Sequence, residues 1–371
     1  MPGEHGLHFG VGKQSSRFFE GFHSMAHDLA TKYLGLELPS PVIVGACPLT
    51  TQPETVRQLV GAGAGAVVLP SMLQEQIVHR LMKPTDPLGA IEQSGYQPQQ
   101  DKYNGGAEKY LQMIDSLKNT CPVPVIASLN GSSAGPWLAY ATEVESAGAD
   151  AIEFNLQQAV FDMQESSNDI EARLCELIRQ VHESVSIPVA AKISQRYTNL
   201  TSMARQLSNA GAAGLVLFTH MPHWDVSTDR MHWTIHWELS PIDSLGNILE
   251  GVVLASAGDH GMSIAASGGI ATAEDAIKAM IAGATTVMVT SAVYRDGPDT
   301  IRNMVDGIER HLATSPYQTL ADFHAACPKN HLGDERSLRL EYVDPLTRSE
   351  TYFDPTPMVS RQTGDAFGHK P

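Results

Sequence analysis

The residues best suited to chemistry stand at the ends of apolar runs. Ala266-Ser267-Gly268-Gly269-Ile270 closes one run, and Val289-Thr290-Ser291 closes another. Paired glycines let the backbone approach a ligand. A helix starting just after them offers free N–H groups and the positive end of its dipole, which together hold a phosphate. A tight turn without ligand uses the same glycines, but the second polar strand end, Thr290-Ser291, favours the phosphate. Lys192 lies within Val189-Ala190-Ala191-Lys192-Ile193. An ammonium in an apolar strand must reach a polar mouth or pair with a carboxylate, because burying it alone is costly. A ligand contact and an ion pair with Glu153 both meet that requirement. Asn155 ends Ala151-Ile152-Glu153-Phe154-Asn155 with an amide that serves a heteroaromatic ring or caps its own turn. His220, His223, His232 and His236 are irregularly spaced, with only Asp225, Asp229 and Glu238 as nearby carboxylates. No metal is expected there. A wall or lid built on Trp224, Trp233 and Trp237 is the better reading.

The elements that must position these groups repeat. Ala62-Gly63-Ala64, Ala147-Gly148-Ala149, Ala210-Gly211-Ala212 and Ala282-Gly283-Ala284 each end a helix-like stretch and lead into a short apolar run. Glycine just past a helix takes the left-handed conformation that closes it, and runs this short read as strands covered on both faces. The pattern predicts a parallel α/β fold, a (β/α)8 TIM barrel with an N-terminal hairpin and extended irregular loops, whose chemistry lies at the C-terminal strand ends. The hairpin spans 29–38 and plugs the barrel bottom. Strands are expected over 41–45, 66–69, 123–129, 151–155, 188–193, 215–218, 263–266 and 286–289. Helices are expected over 53–60, 137–146, 169–184, 198–209, 244–257, 273–281 and finally 298–313. Residues 71–108, with Pro84, Pro87 and Pro98, read as a long irregular excursion. Alternation of Trp233, Ile235 and Trp237 with Thr234, His236 and Glu238 reads as strand.

At 371 residues and 42% hydrophobic content the chain suits one barrel with additions. A net charge of -16 argues against nucleic acid or an anionic membrane as partner. Cys47, Cys121, Cys175 and Cys327 are scattered, which suits free thiols in a reducing, cytoplasmic setting. Residues 1–26 lack an apolar signal core and read as a flexible extension, with Met25 a candidate natural start. Residues 27–329 form the barrel, and 330–371 a polar tail.

In these motifs the chain resembles the dihydroorotate dehydrogenase family of FMN-binding barrels over roughly residues 28–326. The resemblance rests on Leu29-Ala30-Thr31-Lys32-Tyr33-Leu34-Gly35-Leu36, Ile152-Glu153-Phe154-Asn155-Leu156, Lys192, the Ser267-Gly268-Gly269-Ile270 turn, the stretch from Ala282 to Pro298, and Tyr317-Gln318 with Ala321-Asp322-Phe323-His324. It implies an FMN oxidoreductase acting on a CH–CH group of a small pyrimidine-like substrate, as in pyrimidine biosynthesis. Gly268, Gly269, Thr290 and Ser291 would hold the FMN phosphate. Lys192 would lie by the pyrimidine end of the flavin ring, where a cation stabilises the reduced anion. Asn155 would hydrogen-bond ring or substrate, the backbone of Gly45, Ala46 and Cys47 would pass beside the ring, and Ser71 would contact it. Homodimerisation is implied by the resemblance alone.

The departures fall on the substrate side. Pro70 stands where the family has a lysine, Val160 near a substrate-binding asparagine, and Thr219 in place of the strand-six asparagine. The family's asparagine-rich loop has no counterpart around Glu92-Gln93-Ser94-Gly95. Gln158 occupies the position of the usual Ser or Cys base and cannot accept a proton at ordinary pH; Asp162 and His220 are alternative acceptors. The chain lacks a cysteine set for an iron–sulfur cluster, so electrons would go to a small molecule or a separate electron-transfer protein. The competing readings are a catalytically degenerate FMN-binding or empty barrel serving as a partner or regulatory subunit, and a sugar-phosphate enzyme using the same cradle.

Overall fold

The computed structural model describes residues 28–86, 89–132, 135–157, 159–241, 244–258, 260–328 and 335–347. A short antiparallel hairpin, β1 (Thr31–Tyr33) and β2 (Leu36–Leu38), comes first. The later strands in chain order are β3 (Val42–Val44), β4 (Ala66–Val68), β5 (Met72–Leu73), β6 (Val125–Asn130), β7 (Ala151–Asn155), β8 (Val189–Ile193), β9 (Gly214–Leu217), β10 (His223–Ser227), β11 (His232–His236), β12 (Ser263–Ser267) and β13 (Thr286–Val289). Eight of them, β3, β4, β6, β7, β8, β9, β12 and β13, pair in parallel in that order, and β13 returns to β3 to close the barrel. β5 adds a short parallel pair beside the end of β6, and β10 with β11 forms a separate antiparallel ribbon.

The expected Ala-Gly-Ala corners are helix terminators. Gly63, Gly148, Gly211 and Gly283 all have φ near +100°, between 96° and 120°. At each corner the alanine after the glycine donates back to the carbonyl five residues earlier, as Ala64 N does to Leu59 O at 3.2 Å and Ala284 N to Ala279 O at 3.0 Å. This bond closes the helix end and turns the chain directly into the next strand.

The closed sheet separates two apolar compartments. Alternate strand residues face inward, where Ile43, Val68, Ile126, Val216 and Met288 meet Tyr33, Leu34 and Leu38 of the hairpin. The hairpin therefore plugs the barrel bottom as its sequence predicts. The other strand faces pack against the surrounding helices, with Ile114, Trp137, Phe154 and Val181 fully buried. Each such side chain contributes about 1.5–3 kcal/mol of burial.

Two expectations need correction. Residues 71–108 are largely helical, with helices Gln74–Met82, Gly89–Ser94 and Asp101–Asn104 and the start of Ala107–Lys118. Pro84 and Pro98 fall between these helices and punctuate them. A buried hub organises the segment: Gln76 Nε2 donates to Asp101 Oδ1 at 2.8 Å and Asn104 Nδ2 to Gln76 Oε1 at 2.7 Å. The helix expected over 298–313 forms as Asp299–Ala313, but it is not the final one: the short helix Ser291–Asp296 precedes it and Leu320–Ala326 follows it. Part of the polar tail, Glu335–Thr347, is a helix; the N-terminal extension and residues 348–371 lie outside the described residues. Among the described residues no helix is long and apolar enough to cross a membrane.

Candidate active site

Strand alternation carries Ala151, Glu153 and Asn155 to the inner side of β7, and Ala190 and Lys192 to the inner side of β8. The lower pair is apolar and rests on the plug. One layer higher, Lys192 Nζ lies 3.1 Å from Glu153 Oε1, with Glu153 at 1% exposure and Lys192 at 8%. This satisfies the ion-pair reading. It does not exhaust the groups, because the ammonium has three donors and Glu153 Oε2 is buried with no hydrogen-bond partner among the described residues. Tyr33 stands below with its hydroxyl likewise unpartnered, and burial together with the Glu153 charge holds that hydroxyl firmly protonated.

Asn155 is fixed at the strand end. Thr219 Oγ1 donates to its Oδ1 at 2.9 Å and Gln157 N donates to the same oxygen at 3.2 Å. The side-chain NH2 thus faces onward as a donor. Asn130, ending β6, gives its own Nδ2 to Asn155 O at 3.1 Å. Sequence reasoning passed over Asn130, although it closes its strand as Asn155 does. On the neighbouring strand ends Ser71 Oγ lies 2.8 Å from Ser128 Oγ, and Asn104 Nδ2 donates to Ser71 O at 2.9 Å. Tyr103 hydrogen-bonds Ser71 as well, and its hydroxyl is pushed up by burial. These partners come from the segment that reads as irregular in sequence, so proximity to Ser71 was not visible there.

At the other side of the mouth, Gly268 and Gly269 adopt φ of +111° and +65°. A Cβ on Gly269 would stand 2.7 Å from Ser244 Oγ and 2.8 Å from Leu245 N. The glycine turn is therefore pressed against the first residues of helix Leu245–Ser256, whose N-terminus has no side-chain cap. Among the described residues no carbonyl accepts the N–H of Gly268 or Gly269. The helix expected to supply free N–H groups, Ala273–Ile281, is instead capped by Thr272 and Asp275, with Asp275 Oδ2 accepting from the backbone N–H of Ala271 and Thr272. The donors come from the preceding helix. Sequence distance hid this, because 24 residues separate Leu245 from Gly269. Thr290 Oγ1 packs where a Cβ on Gly45 would be, 2.5 Å from it, which brings the ends of β13 and β3 together beside Ala46. Ser291 Oγ accepts from Ser240 N at 3.0 Å, and Arg295 Nη1 donates to Ser240 O at 3.0 Å.

Of the candidate proton acceptors, His220 is held by its Nε2 against Glu238 O at 2.7 Å and packs on Trp237, with ring centroids 5.1 Å apart. Burial lowers its pKa, so the ring is neutral at neutral pH. Nε2 carries the proton, and Nδ1 faces Ser240 Oγ at 3.4 Å. Cys47 is buried and its thiol pushed up. Asp162 stands on an exposed loop, where its Oδ1 accepts from Gln164 N at 2.9 Å. Gln158 lies outside the described residues. Among the described residues no group of His, Cys, Asp and Glu could hold a metal ion.

Ala46, Ser71, Asn155, Lys192, Thr219, Gly268, Gly269, Thr290 and Ser291 thus stand at the C-terminal rim of one barrel, the face where barrel enzymes bind their ligands. A barrel of eight parallel strands with a buried lysine at one side of its mouth and a glycine turn at the other defines the class. Residues 251–312 match the family model described as dihydroorotate dehydrogenase. The chain is 27% identical over 312 residues to the putative dihydroorotate dehydrogenase A (fumarate) of Aeropyrum pernix, covering 80% of this chain and 96% of the relative. It is 23% identical to the catalytic subunit of dihydroorotate dehydrogenase B (NAD(+)) of Thermoplasma acidophilum, covering 80% and 97%. It is 22% identical to the NAD-dependent dihydropyrimidine dehydrogenase subunit PreA of Escherichia coli, covering 86% and 81%. The chain is thus similar, at modest identity, to oxidoreductases of the dihydroorotate dehydrogenase family, and these matches support a member of that family.

Proposed function

We infer that the chain is an FMN-dependent oxidoreductase acting on the CH–CH bond of a small pyrimidine-like substrate. The observation that carries this is the division of the barrel mouth. Spare ammonium and amide donors stand at the ends of β7 and β8. Free backbone N–H groups and an uncapped helix start meet at the Gly268-Gly269 turn. Such a mouth suits a ligand with a polar heteroaromatic ring at one end and a phosphate at the other, and FMN is such a ligand. The names of the relatives, dihydroorotate and dihydropyrimidine dehydrogenases, support the substrate class.

FMN, when bound, supplies a two-electron acceptor. Gly268, Gly269, Thr290 and Ser291 would hold its phosphate, while Ala46 and Ser71 would border its ring. Lys192, kept in place by Glu153, would present positive charge to the ring's carbonyl end. Asn155, with its oxygen occupied by Thr219 and Gln157, would offer its NH2 to ring or substrate. Oxidation of a C–H bond beside a carbonyl also needs a proton acceptor. His220 is neutral at neutral pH, whereas Cys47 keeps its proton.

The test is the visible spectrum. Protein purified without added cofactor should show flavin absorbance, and anaerobic dihydroorotate or a dihydropyrimidine should bleach it. Colourless protein that takes up no FMN would refute the proposal. A second reading follows from Pro70 and Gln158, which replace the lysine and the base of the resemblance: a flavin-holding barrel without catalysis, serving as a subunit. Bound flavin that neither compound bleaches would favour it. With active protein, the electron acceptor is a small molecule or a separate protein, and the compartment we propose is the cytoplasm.

A further inference from the structure

The segment between β4 and β6 brings to the barrel mouth a side chain outside the site assigned above, Tyr103. It stands on the one-turn helix Asp101–Asn104. A helix this short is not stable alone, so neighbouring groups must hold it. Asn104, 1% exposed, and Gln76, 3% exposed, form a reciprocal amide pair. Gln76 Nε2 donates to Asn104 Oδ1 at 2.9 Å, and Asn104 Nδ2 donates back to Gln76 Oε1 at 2.7 Å. Asn104 Nδ2 also reaches Ser71 O, and Tyr96 OH donates to Asp101 Oδ2 at 2.7 Å. The helix packs on Pro48–Thr51, directly after Cys47. Tyr103 is thereby held against Ser71, whose Oγ meets Ser128 Oγ on the inner side of β6.

We propose that Tyr103 is a specificity residue of this mouth, its O–H donating to a carbonyl of a cyclic amide ring and its neutral surroundings rejecting a ring that bears a carboxylate. The proposal rests on the reading of the mouth as a flavin and substrate site. Ser71 donates to the phenol oxygen through its backbone N–H and its side chain. The phenol's own proton is left to donate toward the mouth. Near it stand Cys47 and Tyr294, with the Tyr294 hydroxyl donating to the Cys47 sulfur. Burial pushes all three groups up, Tyr294 to about 12, so this wall is uncharged at neutral pH. Pro70 stands beside Ser71 where the resemblance places a lysine. Lys192, across the mouth, is already paired with Glu153. A carboxylate entering beside Tyr103 would lose its water and find a wall without positive charge, which is costly. A ring carbonyl in the same place meets a donor, and a site built on such a donor discriminates strongly between ligands.

Calorimetric titration of the full chain as purified, with uracil and with its 6-carboxylate, orotate, tests it. The wild type should bind uracil about 10-fold or more tightly than orotate. Tyr103→Phe removes only the hydroxyl and should weaken uracil binding by about 2- to 12-fold, narrowing the ratio between the two ligands. Tyr103→Lys sets an ammonium in the same place and should turn the preference toward orotate. Flavin absorbance per chain should be equal in wild type and Tyr103→Phe. A wild type that binds neither compound or prefers orotate would overturn the proposal. So would a Tyr103→Phe variant that binds uracil as the wild type does, or a Tyr103→Lys variant that still prefers uracil. Loss of flavin from Tyr103→Phe would assign the hydroxyl to the cofactor and overturn it equally. The two readings fail separately. Colourless protein that takes up no FMN but binds uracil through Tyr103 refutes the flavin and sustains this proposal, whereas flavin-bearing protein indifferent to Tyr103→Phe does the reverse.

Discussion

Lys192→Met isolates the central electrostatic feature of the barrel. In the wild type Glu153 is 1% exposed, its Oε1 bonded to Lys192 Nζ at 3.1 Å and its Oε2 without a partner among the described residues. Removing the ammonium leaves a buried carboxylate with neither countercharge nor hydrogen bond. Breaking one partner of such a pair costs about 3–5 kcal/mol. With the melting temperature falling by about 2–3 °C per kcal/mol in a chain of this size, the loss is roughly 6–15 °C. Glu153→Gln removes the other charge and leaves a buried ammonium, so it too should destabilise. The double variant Lys192→Met/Glu153→Gln carries neither charge and should recover most of the loss, giving a large coupling energy across the cycle. Melting curves of flavin-free protein read the effect apart from any cofactor. A single variant melting within a degree of wild type, or a double variant no better than the worse single, would refute the claim that the two charges are held by each other.

Gly269→Asp should abolish flavin retention, since any side chain there meets Ser244 and Leu245 N and a carboxylate also repels phosphate; unchanged flavin absorbance after gel filtration would contradict the phosphate assignment. Thr219→Val removes the donor to Asn155 Oδ1, a bond worth about 0.5–1.5 kcal/mol, and should weaken FMN binding by about 2- to 12-fold, measured by fluorescence titration. Burial depresses the pKa of His220 and His324 below the ordinary 6.5, so the unfolded chain binds protons more readily than the folded one. Stability should therefore hold above pH 6.5 and fall as the solution is acidified below it. His324→Gln, which removes a buried ring nitrogen without a partner among the described residues, should flatten that fall in urea-denaturation midpoints, and an unaltered slope would count against it.

The architecture was legible because it is written in local rules. Each of the four Ala-Gly-Ala corners closes its helix with bonds inside a six-residue window, so the repeating helix–strand unit could be read without knowing any long-range contact. The same holds for the plug hairpin and for the rule that polar residues at the ends of apolar strands face the barrel mouth. Asn155, Lys192 and the Gly268-Gly269 turn were found that way. The His-rich stretch was readable as strand from its alternation, whereas Trp224, Trp233 and Trp237, read as a wall or lid, stand half or more exposed.

What needed the tertiary structure was every partnership across the chain. Glu153 and Lys192 are 39 residues apart, Asn155 and Thr219 64, and Ser240 and Ser291 51. The uncapped helix end beside Gly269 belongs to Leu245–Ser256 and not to the helix that follows the turn, because Thr272 and Asp275 cap the latter. The segment 71–108 misled because its prolines look like disorder in one dimension, while Gln76, Asp101 and Asn104 form a buried hub only once folded. Chain order set which elements form, since helix ends and strand alternation are governed by neighbours a few residues away. Closure of the sheet decided which side chains meet, since the barrel brings strand ends together regardless of their distance along the sequence.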